Sequence, residues 1–114
     1  MRAGRLRHRV VLKRLQAGRD GLGQPVPDQW EVMAGPLPAE VKDLNGSELL
    51  RAQHDFGKVT SVILMRYVEG VESGMQAVHV PPTGGGEIYH IVVGLIDVRR
   101  RQLEIYCHRG VRHE

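Results

Sequence analysis

The 114-residue sequence predicts one small, mainly-β domain that spans residues 1–114 and contains one short helix. Three observations point to this fold class. Apolar and polar residues alternate over several short segments, glycine and proline separate those segments, and only one stretch is rich in helix formers. Alternation with a period of two is typical of a strand that buries one face. Several such strands at close spacing favour a small barrel or a sandwich.

The first predicted strand covers residues 6–12, in which apolar side chains alternate mainly with basic ones. The next segment, residues 16–29, contains three glycines and two prolines, which a helix or a central strand would not tolerate. We therefore expect a long exposed loop there, mobile in the free chain and ordered on assembly. A second strand is expected to begin at Trp30, to be interrupted at residues 35–38 and to resume at Ala39.

A single helix is predicted over residues 46–54. Asn45 can accept a hydrogen bond from the backbone N–H of Glu48, and the Glu48 carboxylate can reach back to the cap residue. This pattern is that of a capping box. Gly57 is expected to end the helix.

Four further strands are predicted at residues 58–68, 75–80, 87–98 and 102–108, with a flexible tip at the three glycines 84–86. The first of them is apolar on both faces, so Val62 and Leu64 need a cover outside the core. The helix and a neighbouring subunit are the two candidates, and the second makes this an interface strand. The predicted core consists of Leu6, Val10, Leu12, Val41, Ile63, Met65, Ile91, Leu103 and Ile105.

The net charge of +3 is unevenly distributed, because arginine and lysine concentrate near both ends of the chain. Arg99, Arg100 and Arg101 form the strongest local cluster. It is interpreted as a solvated turn or as a contact with an acidic partner or DNA. Aromatic residues make up only 4% of the chain, which disfavours single-strand binding by base stacking. A small basic nucleic-acid-binding barrel is the alternative function.

No pattern points to catalysis, a metal or a cofactor. The single cysteine, Cys107, excludes an internal disulfide and lies on the apolar face of a strand, where a thiol packs instead of reacting. The six histidines lack the spacing of a metal site, and the carboxylates are scattered. No apolar run approaches the length of a membrane span, and no signal-peptide pattern is present. We expect a soluble, unexported protein with no enzymatic activity, no small-molecule substrate and no membrane contact.

Several short stretches occur in a familiar order: M-R-A-G-x-L-R-H-R-V at the start, a Gly/Gln/Pro segment, A-E-V-x-x-L-x-G-x-E-L, R-Y-x-x-G-V, G-M-Q, Y-H-I-V and R-R-R-x-L-E-I-Y-C. They lie at residues 1–11, 21–30, 39–50, 66–70, 75 and 89–107. Together they resemble the head–tail joining, or head closure, family of tailed bacteriophages. This resemblance implies a small β-barrel, copies arranged in a ring, and a place in the virion neck.

We therefore predict a six-stranded antiparallel β-barrel with one short helix and long mobile loops. The function that this resemblance implies is that of a structural virion protein of a tailed phage or prophage, expected to form a neck ring that closes the DNA-filled head and docks the tail. The expected partners are further copies of itself, a portal-side adaptor, and a tail terminator or tail completion protein, with non-specific DNA contact in the ring lumen. Assembly is expected in the bacterial host cytoplasm.

The segment between the first two strands is predicted to be the main assembly loop. Leu22 and Val26 are its few apolar side chains, too sparse to fold it alone but able to anchor it in a neighbour's groove. Its glycines loosen the backbone, and its prolines favour extended forms. The residues assigned to this loop are Gly18, Asp20, Gly21, Leu22, Gly23, Pro25 and Val26.

Overall fold

A computed structural model describes residues 8–19, 22–23, 25–80, 86–99 and 101–110. This part of the chain contains β1 (His8–Arg19), β2 (Pro25–Asp43), α1 (Gly46–Phe56), β3 (Ser61–Arg66), β4 (Gln76–His79), β5 (Ile88–Asp97) and β6 (Gln102–Arg109). The strands close into a barrel in the order β1-β2-β3-β6-β5-β4, and every neighbouring pair is antiparallel. The predicted six-stranded antiparallel barrel with one helix is confirmed.

The main core fills the barrel with the inward side chains of all six strands and of Met75. Its buried members are Val10, Leu12, Ala39, Ile63, Met65, Met75, Ala77, Tyr89, Ile91, Leu103, Ile105 and Cys107. Val41 is partly buried against this core, and Leu6 lies outside the described residues. The other predicted core residues are buried, because strict alternation sends every second side chain of a barrel strand inward.

Helix α1 covers the outer face of the barrel and forms a second, smaller core. Leu44, Ala52, Val59 and Val62 are buried there, and the Phe56 and Tyr106 rings stack at its edge with centroids 4.7 Å apart. Of the two covers considered for Val62 and Leu64, the structure provides the helix: Val62 is only 6% exposed. An interface role for this strand stays a prediction that the packing does not require.

The start of α1 differs from its predicted form. Asn45 occupies the cap position with an extended backbone, but its side chain makes no capping hydrogen bond. The Glu48 carboxylate accepts instead from Lys42 Nζ at 3.2 Å, because the end of β2 brings that amine close. The predicted capping box is therefore wrong. Gly57 ends the helix as expected, with φ 83° and its N–H donating to the Gln53 carbonyl.

The largest difference concerns the segment predicted as a loop over residues 16–29. It is mostly a hairpin, in which Gln16 pairs with Gln29 and Arg19 pairs with Pro25, so that only residues 20–24 separate the strands. Here β1 and β2 pair only with each other among the described residues. Proline is tolerated at such edges, where a missing N–H breaks no ladder to a further strand.

The expected interruption at residues 35–38 is an irregularity inside a continuous β2. The register changes between the pairs Val10–Leu37 and Leu12–Ala34, and Gly35 has φ 116°. A Cβ at Gly35 would lie 2.8 Å from the Val10 carbonyl oxygen and 2.9 Å from the Val11 Cα. Only glycine allows the two backbones to approach this closely.

Candidate assembly surfaces

Two strands leave the barrel together as a ribbon, defined by residues 14–19 of β1 and 25–32 of β2. The pairing of β1 with β4 covers only residues 10–13, and that of β2 with β3 covers only residues 39–43. Six residues of strand at about 3.4 Å each extend on the order of 20 Å. Both outer edges of the ribbon therefore present backbone groups that no other described strand pairs.

The ribbon is amphipathic because residues paired across two antiparallel strands share a face. Leu15 pairs with Trp30, and Val32 follows Trp30 by two positions on the same face. These three side chains are 51%, 38% and 59% exposed. A cluster of large apolar side chains exposed on a narrow projection is typical of a protein–protein contact.

The other face of the ribbon is polar. Arg14 Nε donates to Glu31 Oε1 at 2.7 Å, and Gln16 lies opposite Gln29. An exposed ion pair of this kind contributes at most about 1 kcal/mol, so it aligns the strands without holding them rigidly. The ribbon therefore presents an apolar face and a polar face to a partner.

The structure brings most of the predicted assembly-loop residues together at the tip of the ribbon. Gly18 pairs with Val26 in the ladder, Leu22 is 87% exposed, and Gly23 turns with φ 80°. Pro25 begins β2, whereas Asp20 and Gly21 lie outside the described residues. The sequence reasoning missed Leu15, Trp30 and Val32 as surface residues. Their alternation on two consecutive strands was the signal that could have revealed them.

A groove lies between the base of the ribbon and the β3–β4 connection, and we name it the acidic groove. Its volume is about 650 Å³, and it is lined by Arg14, Leu15 and Met33 from the strands and by residues 69–70 and 72–75 from the connection. Glu69 and Glu72 are exposed and form no ion pair within the described part of the chain.

Backbone hydrogen bonds connect the segment beside the acidic groove to β5 and within itself. The Gly74 N–H donates to the Ile91 carbonyl at 3.0 Å, and the Met75 N–H donates to the Glu72 carbonyl at 3.3 Å. Val68 and Val71 pack against the main core. These contacts attach the connection that carries Glu69 and Glu72 to the end of the barrel.

The turn between β5 and β6 carries the arginines singled out in the sequence. Val98 is 82% exposed, Arg99 and Arg101 are exposed, and Arg100 lies outside the described residues. Arg101 has φ 50°, an uncommon backbone conformation for a residue with a side chain. We name Val98, Arg99 and Arg101 the arginine turn. The Tyr67 N–H donates to the Arg101 carbonyl at 2.8 Å, which ties this turn to the start of the β3–β4 connection.

The opposite end of the barrel contains paired histidines. His8 Nδ1 and His79 Nε2 lie 3.0 Å apart, and the pKa of His79 is lowered, first by burial and then by His8, while Glu87 opposes the shift. Nearby, Arg109 forms ion pairs with Asp43 at 3.2 Å and Glu87 at 3.4 Å. These contacts connect strand ends, which is a structural role.

The remaining candidates for chemistry offer no assembled site. Burial raises the pKa of the Cys107 thiol to about 12, so this side chain stays protonated and unreactive at neutral pH. No group of three potential metal ligands occurs among the described residues. Within the same residues, no helix is long and apolar enough to cross a membrane.

Comparisons with known proteins identify the family. The model of the phage head completion protein family matches residues 1–110. Head completion protein gp7 of Enterobacteria phage HK97 is 29% identical over 111 residues, which cover 96% of this chain and 97% of that protein. The solution structure of protein SF1141 from Shigella flexneri 2a has a TM-score of 0.76 and 27% identity, with 99% of this chain and 100% of that chain covered.

These matches support the structural hypothesis and give no support to the nucleic-acid-binding alternative. They place the protein in the virion, at the junction of head and tail, where it contacts other virion proteins. The chain belongs to the phage head completion protein family and is a structural neck protein that closes the head.

Proposed function

We propose that the chain is a ring subunit of the neck and that the ribbon is its main docking element. The ring lies between a portal-side adaptor and a tail terminator or tail completion protein, and its lumen contacts DNA non-specifically. The chain acts by binding alone, without a catalytic step, and assembles in the host cytoplasm. The observation that carries this proposal is the exposed apolar face of a ribbon whose two edges pair with no other described strand.

The closed barrel explains why docking falls to the ribbon. A closed barrel has no free strand edge, so it cannot add a strand from a partner. The ribbon has two edges that no strand of the described chain covers, so it can join a neighbour's sheet through backbone hydrogen bonds. Trp30 and Leu15 then supply the apolar contact, and tryptophan is among the residue types that contribute most to binding at interfaces.

A pair of substitutions on the ribbon tests the proposal. A phage that lacks this gene is complemented with Trp30→Ser/Val32→Ser, with the exposed helix residue Leu50 as a matched control (Leu50→Ser). We expect at least tenfold less of the double variant per purified particle, and heads that fail to join tails. The control should incorporate normally. Normal incorporation of the double variant would show that another surface docks the chain.

A further inference from the structure

The topology of the barrel places two surfaces of unlike chemistry on opposite sides of one end. In the closed order β1-β2-β3-β6-β5-β4, β1 lies across the barrel from β6, and β2 lies across from β5. The ribbon continues β1 and β2, whereas the arginine turn joins β5 to β6. The β3–β4 connection touches both, because the Tyr67 N–H donates to the arginine turn and residues 69–70 and 72–75 line the acidic groove.

The two surfaces are complementary in charge and in apolar character. The acidic groove carries Glu69 and Glu72 beside the half-exposed Leu15, and the charge of its Arg14 is already paired with Glu31 at 2.7 Å. The arginine turn carries Arg99 and Arg101 beside Val98, which is 82% exposed. Neither the two glutamates of the connection nor the two arginines of the turn form an ion pair with a described residue.

We infer that the arginine turn of one copy docks in the acidic groove of the next copy, an inference that rests on the proposed ring. A contact between two different patches of identical chains is heterologous, and it generates a ring when its rotation closes. Because both patches lie at the same end of the barrel, every copy presents that end on the same face of the ring. Arginine and carboxylate can form paired, charge-assisted hydrogen bonds that fix the register of such a contact.

The arginine turn is a short connection held by two backbone hydrogen bonds. The Arg101 N–H donates to the Val98 carbonyl at 3.4 Å, and the Tyr67 N–H donates to the Arg101 carbonyl at 2.8 Å. Within the described chain the Arg101 guanidinium forms no ion pair, and a second copy supplies that partner. The groove, at about 650 Å³, lies in the size range of sites that bury several side-chain-sized groups.

Reciprocal charge reversal tests the contact in particles of the complemented phage. One variant reverses the groove (Glu69→Arg/Glu72→Arg), and the other reverses the turn (Arg99→Glu/Arg101→Glu). Each alone should lower the amount of chain per particle at least tenfold, since like charges then meet. Co-expression of the two variants should restore incorporation to within twofold of wild type. When the variants alternate around the ring, each reversed groove meets a reversed turn and each native groove meets a native turn. The control variant is Arg51→Glu/Lys58→Glu, which makes the same charge change as the reversed turn but in and just after the helix. It should incorporate normally.

Cysteine cross-linking gives an independent readout. Oxidation of particles with Ser73→Cys/Val98→Cys should yield a ladder of covalent multimers, whereas either cysteine alone should yield monomers. Cys107 can remain because it is buried. Normal incorporation of either reversed variant, or failure of co-expression to rescue, would overturn the contact and leave DNA or another virion protein as the partner of the arginines.

A general amine cross-linker separates this failure from failure of the ring itself. If wild-type particles give multimers with that reagent but no cysteine ladder and no rescue, the ring stands and only the contact assigned here is wrong. If wild-type particles give no multimers, the ring and this contact fail together.

Discussion

Val10 and Leu12 are completely buried in the barrel, whereas Leu15, three residues further along the same strand, is 51% exposed on the ribbon. The sequence alternates in both places, so the difference lies in the neighbours. In the barrel each strand has a strand on either side and a core beneath it. In the ribbon, as far as the chain is described, each strand has one partner and no core.

This comparison separates stability from assembly within one pair of strands. An isolated two-stranded hairpin is at best marginally stable in water, so the ribbon contributes little to the folding free energy. The barrel, by contrast, holds almost every fully buried side chain of the described residues. Substitutions in the barrel should therefore change unfolding, and substitutions in the ribbon should change binding.

The largest expected effect on stability comes from Ile105→Ala. Ile105 is completely buried and pairs with Ile63 across β6 and β3. Removing its side chain leaves a cavity and should cost about 2–5 kcal/mol in urea unfolding. Leu50→Ala, at a 69% exposed helix position, is the control and should change the free energy by less than about 0.5 kcal/mol. A neutral Ile105→Ala would mean that the register of β6 is wrong.

A glycine pair probes the junction between the two regions. Gly35→Ala should destabilise the protein by roughly 1–3 kcal/mol, since the new Cβ meets the backbone of Val10 and Val11 in a strained conformation. At Gly23, near the ribbon tip, φ is 80° but no atom lies within 4 Å of an added Cβ. Gly23→Ala should cost about 1 kcal/mol from its positive φ alone, and less than Gly35→Ala. Equal costs in thermal unfolding would contradict the close approach at Gly35.

The same contrast shows what the sequence could predict. Barrel strands such as β6 were predicted well, because alternation is a local signal and one buried face enforces it. The ribbon was not, since Gly18 and Pro25 ordinarily mark a loop. They are tolerated here because both strands are edge strands. Whether a strand lies at an edge is decided by the tertiary structure and not by the local sequence. The acidic groove could not be predicted from the sequence either, because its lining residues, such as Arg14 and Glu69, come from distant parts of the chain.

A smaller effect should appear at low pH, in the barrel. The pKa of His79 is lowered from the ordinary value of 6.5 by burial and by His8. The native state therefore binds fewer protons than the unfolded state below about pH 6.5. The stability linked to His79 is present above that pH and is lost as the pH falls through the lowered pKa. Urea unfolding at pH 7 and pH 5 should show this loss in the wild type.

His79→Gln is the matched variant for this titration. It cannot be protonated in this range, so its stability should fall less between pH 7 and pH 5 than that of the wild type. His8→Gln should give an intermediate result, because it removes the second cause of the shift but leaves the burial. Identical pH dependence in all three proteins would mean that His79 titrates normally.

The smallest effect on stability should come from trimming the ribbon. Residues 17–28 are replaced by Asn-Gly, which joins the paired residues Gln16 and Gln29 through a tight hairpin turn. In the described ladders the removed residues of β1 and β2 pair with each other and with no third strand, so the unfolding free energy should stay within about 0.5 kcal/mol of wild type. The Leu15–Trp30 pair is retained, so the variant isolates the contribution of the tip to assembly.

Incorporation of the trimmed chain into phage particles should nevertheless fall at least tenfold, because Leu22 and the free edges of the tip are lost. A loss of more than about 2 kcal/mol would instead show that the tip folds cooperatively with the barrel. Normal incorporation at unchanged stability would restrict docking to Leu15, Trp30 and Val32 at the base. In that case the boundary between the stabilising and the binding region would lie only a few residues beyond Leu12, where β1 loses its second neighbour.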